Sequence, residues 1–195
     1  MADLPSFTPT KSSPLSGLPA PFGGITLEDR PFVGKVIVRG NLEDSAFADA
    51  VKGVIGCDLP AVPNTTGSSP AHTVFWLGPN EWQIHCAEDT QYGLIDRLRE
   101  ALGDRHAALV DVSDYYALMR LSGEKTLEVL AKGTPLDLHP RAFPAGRCAQ
   151  TRFGHATVLL HKLEDSIVDL QVRWSFAAYV WSYIVDGTRE YRASP

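Results

Sequence analysis

Two rhythms alternate along the chain: short runs in which every second position is apolar, and longer runs in which apolar residues return every three or four positions. Residues 25–40, ITLEDRPFVGKVIVRG, predict a short extended piece, a proline-marked turn and a strand with Val36 and Val38 on one face and Ile37 on the other. A helix follows. Asp44 stands in the N-cap position, Phe47, Ala50, Val51, Val54 and Ile55 recur at helical spacing, and Gly56 with Pro60 ends the run. The polar stretch VPNTTGSSPAH reads as a flexible loop. VFWL, the turn GPNE and WQIHC then predict a hairpin in which Trp82, Ile84 and Cys86 alternate with Gln83 and His85. Asp89 is placed to cap a second helix, buried through Tyr92, Ile95, Leu98 and Leu102 and ended by Gly103.

The same order then begins again. Residues 108–123, ALVDVSDYYALMRLSG, repeat the length and pattern of 25–40, and residues 124–132 predict a helix with Leu127, Leu130 and Ala131 on one face, stopped by Gly133 and Pro135. A second hairpin pairs 148–153 with 156–161 around Gly154. SIVDLQV adds a strand with Val168, Leu170 and Val172 on one face, and a helix over 175–191 closes the sequence. The expected fold class is α+β, with two pseudo-repeated strand-helix-hairpin-helix halves at 25–106 and 107–195. Residue identity between the copies is low, so the repeat is one of pattern.

The two ends each leave a choice open. Residues 1–24 are rich in Pro, Ser and Gly and read as a flexible arm. Leu4, Phe7, Leu15, Leu18 and Phe22 are spaced along it as apolar pegs that could instead enter a neighbouring subunit's surface. In the last helix Phe176, Tyr179, Val180, Tyr183 and Ile184 form one apolar stripe, and Ala177, Trp181 and Val185 form another. A helix apolar over so much of its circumference is buried on more than one side, by core or by a partner.

Composition narrows the function classes. The chain has 195 residues and 44% hydrophobic content, enough for a real core, and its net charge of -5 with dispersed basic residues argues against nucleic acid as partner. Cys57, Cys86 and Cys148 are odd in number and far apart, which fits a reducing, cytoplasmic setting better than a disulfide framework. The longest nearly apolar stretch, 174–185, falls short of the ~20 residues that span a bilayer, and no leader-like pattern opens the chain, so neither membrane insertion nor export is expected.

Chemistry is sparse. There is no G-x-G-x-x-G between strand and helix, no P-loop and no G-x-S-x-G elbow. The six histidines contain no HExxH or H-x-H pair, and no metal-binding set is assigned, although His155 and His161 flank a strand with Cys148 nearby. Asp111 and Asp114 could serve as acid and base, but at a turn such residues mostly bond the backbone. The segment 136–147, LDLHPRAFPAGR, holds Pro140 and Pro144 among His139, Arg141, Phe143 and Arg147. That mixture suits a subunit contact, the carboxylate of an anionic ligand, or packing on its own domain. Tyr115, Tyr116, His139, Arg141, Phe143 and Arg147 are the candidate interface residues; no catalytic, cofactor-binding or metal residue is assigned.

Residues 111–161, DVSDYYALMRLSGEKTLEVLAKGTPLDLHPRAFPAGRCAQTRFGHATVLLH, resemble the gamma-subunit family of heterotetrameric sarcosine oxidase, with FWLGPNEWQIH and VRWSFAAYVWSYI agreeing in order and spacing. PLDLHPRAF with GRCAQTR carries the specific signal. The resemblance implies a reduced form of the folate-binding aminomethyltransferase fold of the glycine cleavage system. It further implies a complex with alpha, beta and delta subunits that oxidises sarcosine to glycine, passes the one-carbon unit to tetrahydrofolate or releases formaldehyde, and forms hydrogen peroxide. FAD, FMN, NAD and zinc are then expected on the partner subunits, none on this chain. Docking chiefly on alpha, as a non-catalytic assembly subunit, is the expected role. An independent folate-binding one-carbon transferase-like module is the alternative.

Overall fold

The computed structural model describes residues 10–192. The first strand, β1 (Thr26–Asp29), is followed by β2 (Gly34–Arg39), α1 (Ser45–Ile55), β3 (Thr66–Ser68), β4 (Thr73–Gly78), β5 (Glu81–Cys86) and α2 (Gln91–Leu102). The second series runs β6 (Ala108–Asp111), β7 (Tyr116–Ser122), α3 (Thr126–Ala131), β8 (Cys148–Phe153), β9 (Ala156–Glu164), β10 (Ile167–Arg173) and α4 (Ala177–Gly187).

The strands form two five-stranded sheets, ordered β3-β4-β5-β2-β6 and β8-β9-β10-β7-β1, with every pairing antiparallel. The orders correspond element by element, and the outer strand of each sheet comes from the other series. β1 pairs with β7, and β6 pairs with β2. The halves expected at 25–106 and 107–195 thus exchange their first strands. Pro31 and Phe32, the latter with φ 62°, carry the chain from β1 across to β2 in the opposite sheet.

Each sheet has one apolar face covered by helices. Val36, Val38, Trp82 and Ile84 pack under α1 and α2 with Phe47, Val51, Leu94 and Leu98. Met119, Leu121, Leu160, Val168 and Leu170 pack under α3 and α4 with Leu130, Val180 and Ile184. The other two faces meet, giving helix-sheet-sheet-helix layers. Phe75, Cys148 and Leu159 form a small apolar cluster in that middle layer. Around it Gln171 bonds Gln83 and His85, and Arg120 makes a two-pronged ion pair with Asp169 at 2.6 and 2.8 Å.

The sheets are also joined at their edges. Thr65 bridges Arg147, Cys148 N donates to Asn64 O at 3.1 Å, and Thr66 Oγ1 donates to Gly146 O at 2.8 Å. The supposed flexible loop VPNTTGSSPAH therefore contains β3, because the second series offers it backbone partners that sequence periodicity does not display. The equivalent hairpins are also shifted from expectation: β4-β5 corresponds to β9-β10, and β8 corresponds to the short β3.

Several local expectations change. Thr90, not Asp89, stands at the start of α2, and Asp89 adopts φ 60° while pairing with Lys11. Tyr92 is exposed, and Gln91 and Leu94 occupy the buried face with Ile95, Leu98 and Leu102. In α4 the buried residues are Ala177, Val180, Trp181, Ile184 and Val185, whereas Phe176 and Tyr179 face outward. The arm also packs: Leu15 is 2% exposed, and Leu18 and Phe22 lie against the second core. Trp181 Nε1 donates to Pro19 O at 2.7 Å and Phe22 N to Thr188 Oγ1 at 3.0 Å. Three of the pegs thus enter this chain's own core; Leu4 and Phe7 lie outside the described residues.

Candidate functional site

A cavity of about 370 Å³ opens where the exchanged strands cross between sheets. Its walls come from the β1–β2 turn, the start of β2, the β6–β7 turn, the start of α2 and the arm. Gly34 lets the end of β5 and the start of α2 approach this closely, since a Cβ there would fall 2.6 Å from Cys86 Sγ and 2.9 Å from Gln91 Oε1.

Lys35 lies at this cavity and is 2% exposed. Its Nζ donates to Val33 O at 2.9 Å and Ser113 O at 3.4 Å, and among the described residues it forms no ion pair. Burial pushes the ammonium down to about 8, against the weaker pull of the Asp114 and Asp111 carboxylates. The repeat makes the placement specific. Arg30 N donates to Leu118 O just after β1, and Val112 N donates to Lys35 O just after β6. Lys35 is therefore the counterpart of Leu118, a charge where the other copy has a hydrocarbon.

The surroundings carry further departures from an inert core. Gln91 Oε1 is buried with no hydrogen-bond donor among the described residues. Phe32 and Asp89, both bordering the cavity, have left-handed backbone, which costs ~1–3 kcal/mol at each non-glycine residue. Lys11 closes one side by pairing with Glu88 and Asp89, each at 2.8 Å. Asp111 is engaged by Ser113 N at 2.9 Å and Ser113 Oγ at 2.6 Å, the turn role its position implied.

Aromatic side chains collect at the mouth. Phe32, Tyr92, Tyr115 and Trp174 are all exposed there; exposed Phe176, in the same short turn as Trp174, meets exposed Tyr179 edge to face at 6.4 Å. Tyr115 meets Tyr116 edge to face at 4.7 Å, and the Arg173 guanidinium lies 5.3 Å from the Tyr115 ring centre. Tyr115 and Tyr116 are thus brought together on this face.

The other proposed contacts are elsewhere. His139 and Arg141 sit exposed on one turn, where Arg141 N donates to His139 Nδ1 at 3.2 Å. Phe143 is 3% exposed and belongs to the second core, leaving it no surface for a partner. Its N–H and that of Ala142 both donate to His139 O, and this tight turn tucks the ring inward. Arg147 reaches Pro63 O at 3.3 Å and ties the sheet edges together. Cys148 is buried and its thiol is pushed up to about 11 by that burial. Among the described residues no three His, Cys, Asp or Glu side chains gather as a metal site. Lys35 escaped the sequence reading because the strand pattern rested on Val36, Ile37 and Val38. A lysine sharing the inner face of Ile37, opposite Leu118 in the repeat, was the available signal.

The fold defines a class: two sheets built on the aminomethyltransferase plan. Aminomethyltransferase T of the glycine cleavage system from Bartonella henselae superposes with a TM-score of 0.59 at 10% identity, over 84% of this chain and 46% of that one. This likeness establishes fold alone. Residues 39–190 match the model of the "Sarcosine oxidase, gamma subunit family", and the chain belongs to that family. It is 32% identical over 174 residues to the sarcosine oxidase subunit gamma of Arthrobacter sp., covering 89% of this chain and 84% of that protein. The corresponding subunit of Corynebacterium sp. strain U-96 is 30% identical over 87% of this chain and 82% of that protein. A chain of the heterotetrameric sarcosine oxidase from Corynebacterium sp. U-96, in complex with pyrrole 2-carboxylate, superposes with a TM-score of 0.86 at 26% identity. That match covers 95% of this chain and 98% of the other. Among the described residues no helix is long and apolar enough to cross a membrane.

Proposed function

We propose that this chain is a non-catalytic assembly subunit of a heterotetrameric sarcosine oxidase, docked chiefly on the alpha subunit alongside beta and delta. The supporting observation is the near full-length superposition, 95% of this chain on 98% of a chain from such a heterotetramer. The complex demethylates sarcosine oxidatively to glycine. The one-carbon unit passes to tetrahydrofolate or leaves as formaldehyde, and oxygen becomes hydrogen peroxide. FAD, FMN, NAD and zinc belong to the partner subunits in this reading, and the compartment is the cytoplasm.

The exposed aromatic face around Tyr115, Trp174, Phe176 and Tyr179 is the docking surface this reading favours, since clustered aromatic and arginine side chains supply most interface energy. An obligate contact of this kind buries more than ~2,000 Å² in total. Co-expression with the three partner subunits, followed by gel filtration, tests the reading: the chain is expected in one peak with them. Elution as a well-behaved monomer in their presence overturns it. Calorimetry of the chain with tetrahydrofolate addresses the transferase-like alternative, for which tight binding would speak.

A further inference from the structure

The surroundings of Lys35 suit an amine better than an ammonium. Among the described residues its Nζ has two acceptors, Val33 O at 2.9 Å and Ser113 O at 3.4 Å, and both are neutral carbonyls. The Asp111 carboxylate that could have balanced a positive charge instead takes hydrogen bonds from Ser113 N and Oγ. An ammonium carries three N–H donors, whereas a neutral amine carries two and a lone pair. Two carbonyls therefore match the neutral amine, and burial favours the same form, holding the group down to about 8. Exposed lysines of this chain go the other way: hydrogen bonds to Asp58 and Glu128 raise Lys52 and Lys125 respectively.

The amine also has room for a reaction partner. Lys35 lines the cavity of about 370 Å³, a volume at the small end of ligand sites. Phe32, Ala117, Leu118 and Trp174 supply apolar wall for a short hydrocarbon chain. Around the rest, Asp29, Glu88, Asp89 and Asp114 outnumber Lys11 and Arg30, which disfavours an anionic guest. Gln91 Oε1, buried on the same wall, has no donor among the described residues and can accept from a hydroxyl.

We propose that Lys35 is a nucleophilic amine that captures a small, uncharged aldehyde in this cavity as an imine. The Nζ lone pair attacks the carbonyl carbon, a C–N bond forms, and the carbonyl oxygen takes one amine hydrogen to give a carbinolamine. The C–O bond then breaks, and the oxygen leaves as water with the second amine hydrogen. Addition of water reverses the capture, so no oxidant or reductant enters. A desolvated lysine amine is the side chain suited to this step. The site lies wholly within this chain and does not depend on the docking reading.

The test incubates the full chain with propanal and cyanoborohydride near neutral pH, which reduces any imine to a stable N-propyl group, and maps the modified lysines by peptide mass spectrometry. Lys35 is expected to be modified about tenfold or more faster than Lys52, because far more of it is neutral amine at that pH. The preference is expected to vanish when the chain is first denatured in urea. Lys35→Met is expected to lose the fast modification and keep the slow one at Lys52. Glyoxylate, an anionic aldehyde, is expected to give a smaller ratio of Lys35 to Lys52 modification than propanal. Modification of Lys35 no faster than Lys52 in the folded chain overturns the proposal. So does a preference that survives denaturation, or a larger ratio with glyoxylate.

Discussion

Gln171 Nε2 donates to Gln83 Oε1 across 2.8 Å, and this bond joins the two sheets in the layer where their inner faces meet. Gln171 Oε1 also takes the hydrogen bond of His85 Nε2 at 2.9 Å, while Gln83 Nε2 has no partner among the described residues. The layer thus carries a polar seam between the two apolar cores. Its strength depends on every member keeping its partner.

Replacing Gln171 by Leu strands the Gln83 carbonyl and His85 together. The expected loss is ~1–3 kcal/mol in urea denaturation, because a buried polar group without its partner bears its full desolvation penalty. The double variant Gln83→Leu/Gln171→Leu is expected to recover part of that loss. Additive losses would show that the bond is not coupled.

Burial pushes the His85 imidazole down to about 3, and burial also lowers His161. An unfolded histidine takes up its proton near pH 6.5, so between about 6.5 and 3 the unfolded chain binds more protons than the folded one. Stability must therefore fall as the pH drops through that window, by at most about 1.4 kcal/mol per pH unit from His85 alone. Urea midpoints measured from pH 7 to pH 4 test this, and His85→Gln is expected to flatten the curve.

The arm is held by specific contacts, so it should contribute to stability in the absence of any partner. Leu15→Ala removes a fully packed side chain and is expected to cost ~2–5 kcal/mol. Trp181→Phe removes the bond to Pro19 O together with part of a buried ring system and is expected to cost ~2–3 kcal/mol. Thermal melts of the isolated chain measure both. An unchanged melting temperature for Leu15→Ala would mean that the arm is loose in solution.

The docking face predicts the opposite pairing of effects. Trp174 and Tyr115 are 42% and 46% exposed, so Trp174→Ala and Tyr115→Ala should change the chain's own stability by only about 0.5 kcal/mol. Association with the partner subunits is expected to weaken by ~2 kcal/mol, roughly thirtyfold, for an anchoring aromatic residue. Sedimentation of the mixed subunits reads this directly.

Much of the fold was legible in the chain. Alternation gave β2, β5 and β10, helical spacing with Asp44 and Gly56 gave α1, and the recurrence of 25–40 at 108–123 gave the pseudo-repeat. Those features are local, and local patterns record which face of an element is apolar. The sequence also carried the family signal, with residues 39–190 matching the family model.

Tertiary structure decided the rest, because the deciding interactions lie far apart in sequence. Whether β1 joins β7 or β2 depends on where the Pro31–Phe32 turn sends the chain, and no periodicity encodes that choice. Phe143 had the composition of an interface residue until one turn at His139 buried it. Lys35 had the look of an ordinary strand lysine until the sheets met across it. Its burial and its bond to Ser113 O, 78 residues away, arise only when the two halves exchange strands, so the chemistry of the cavity is a property of the assembled layers.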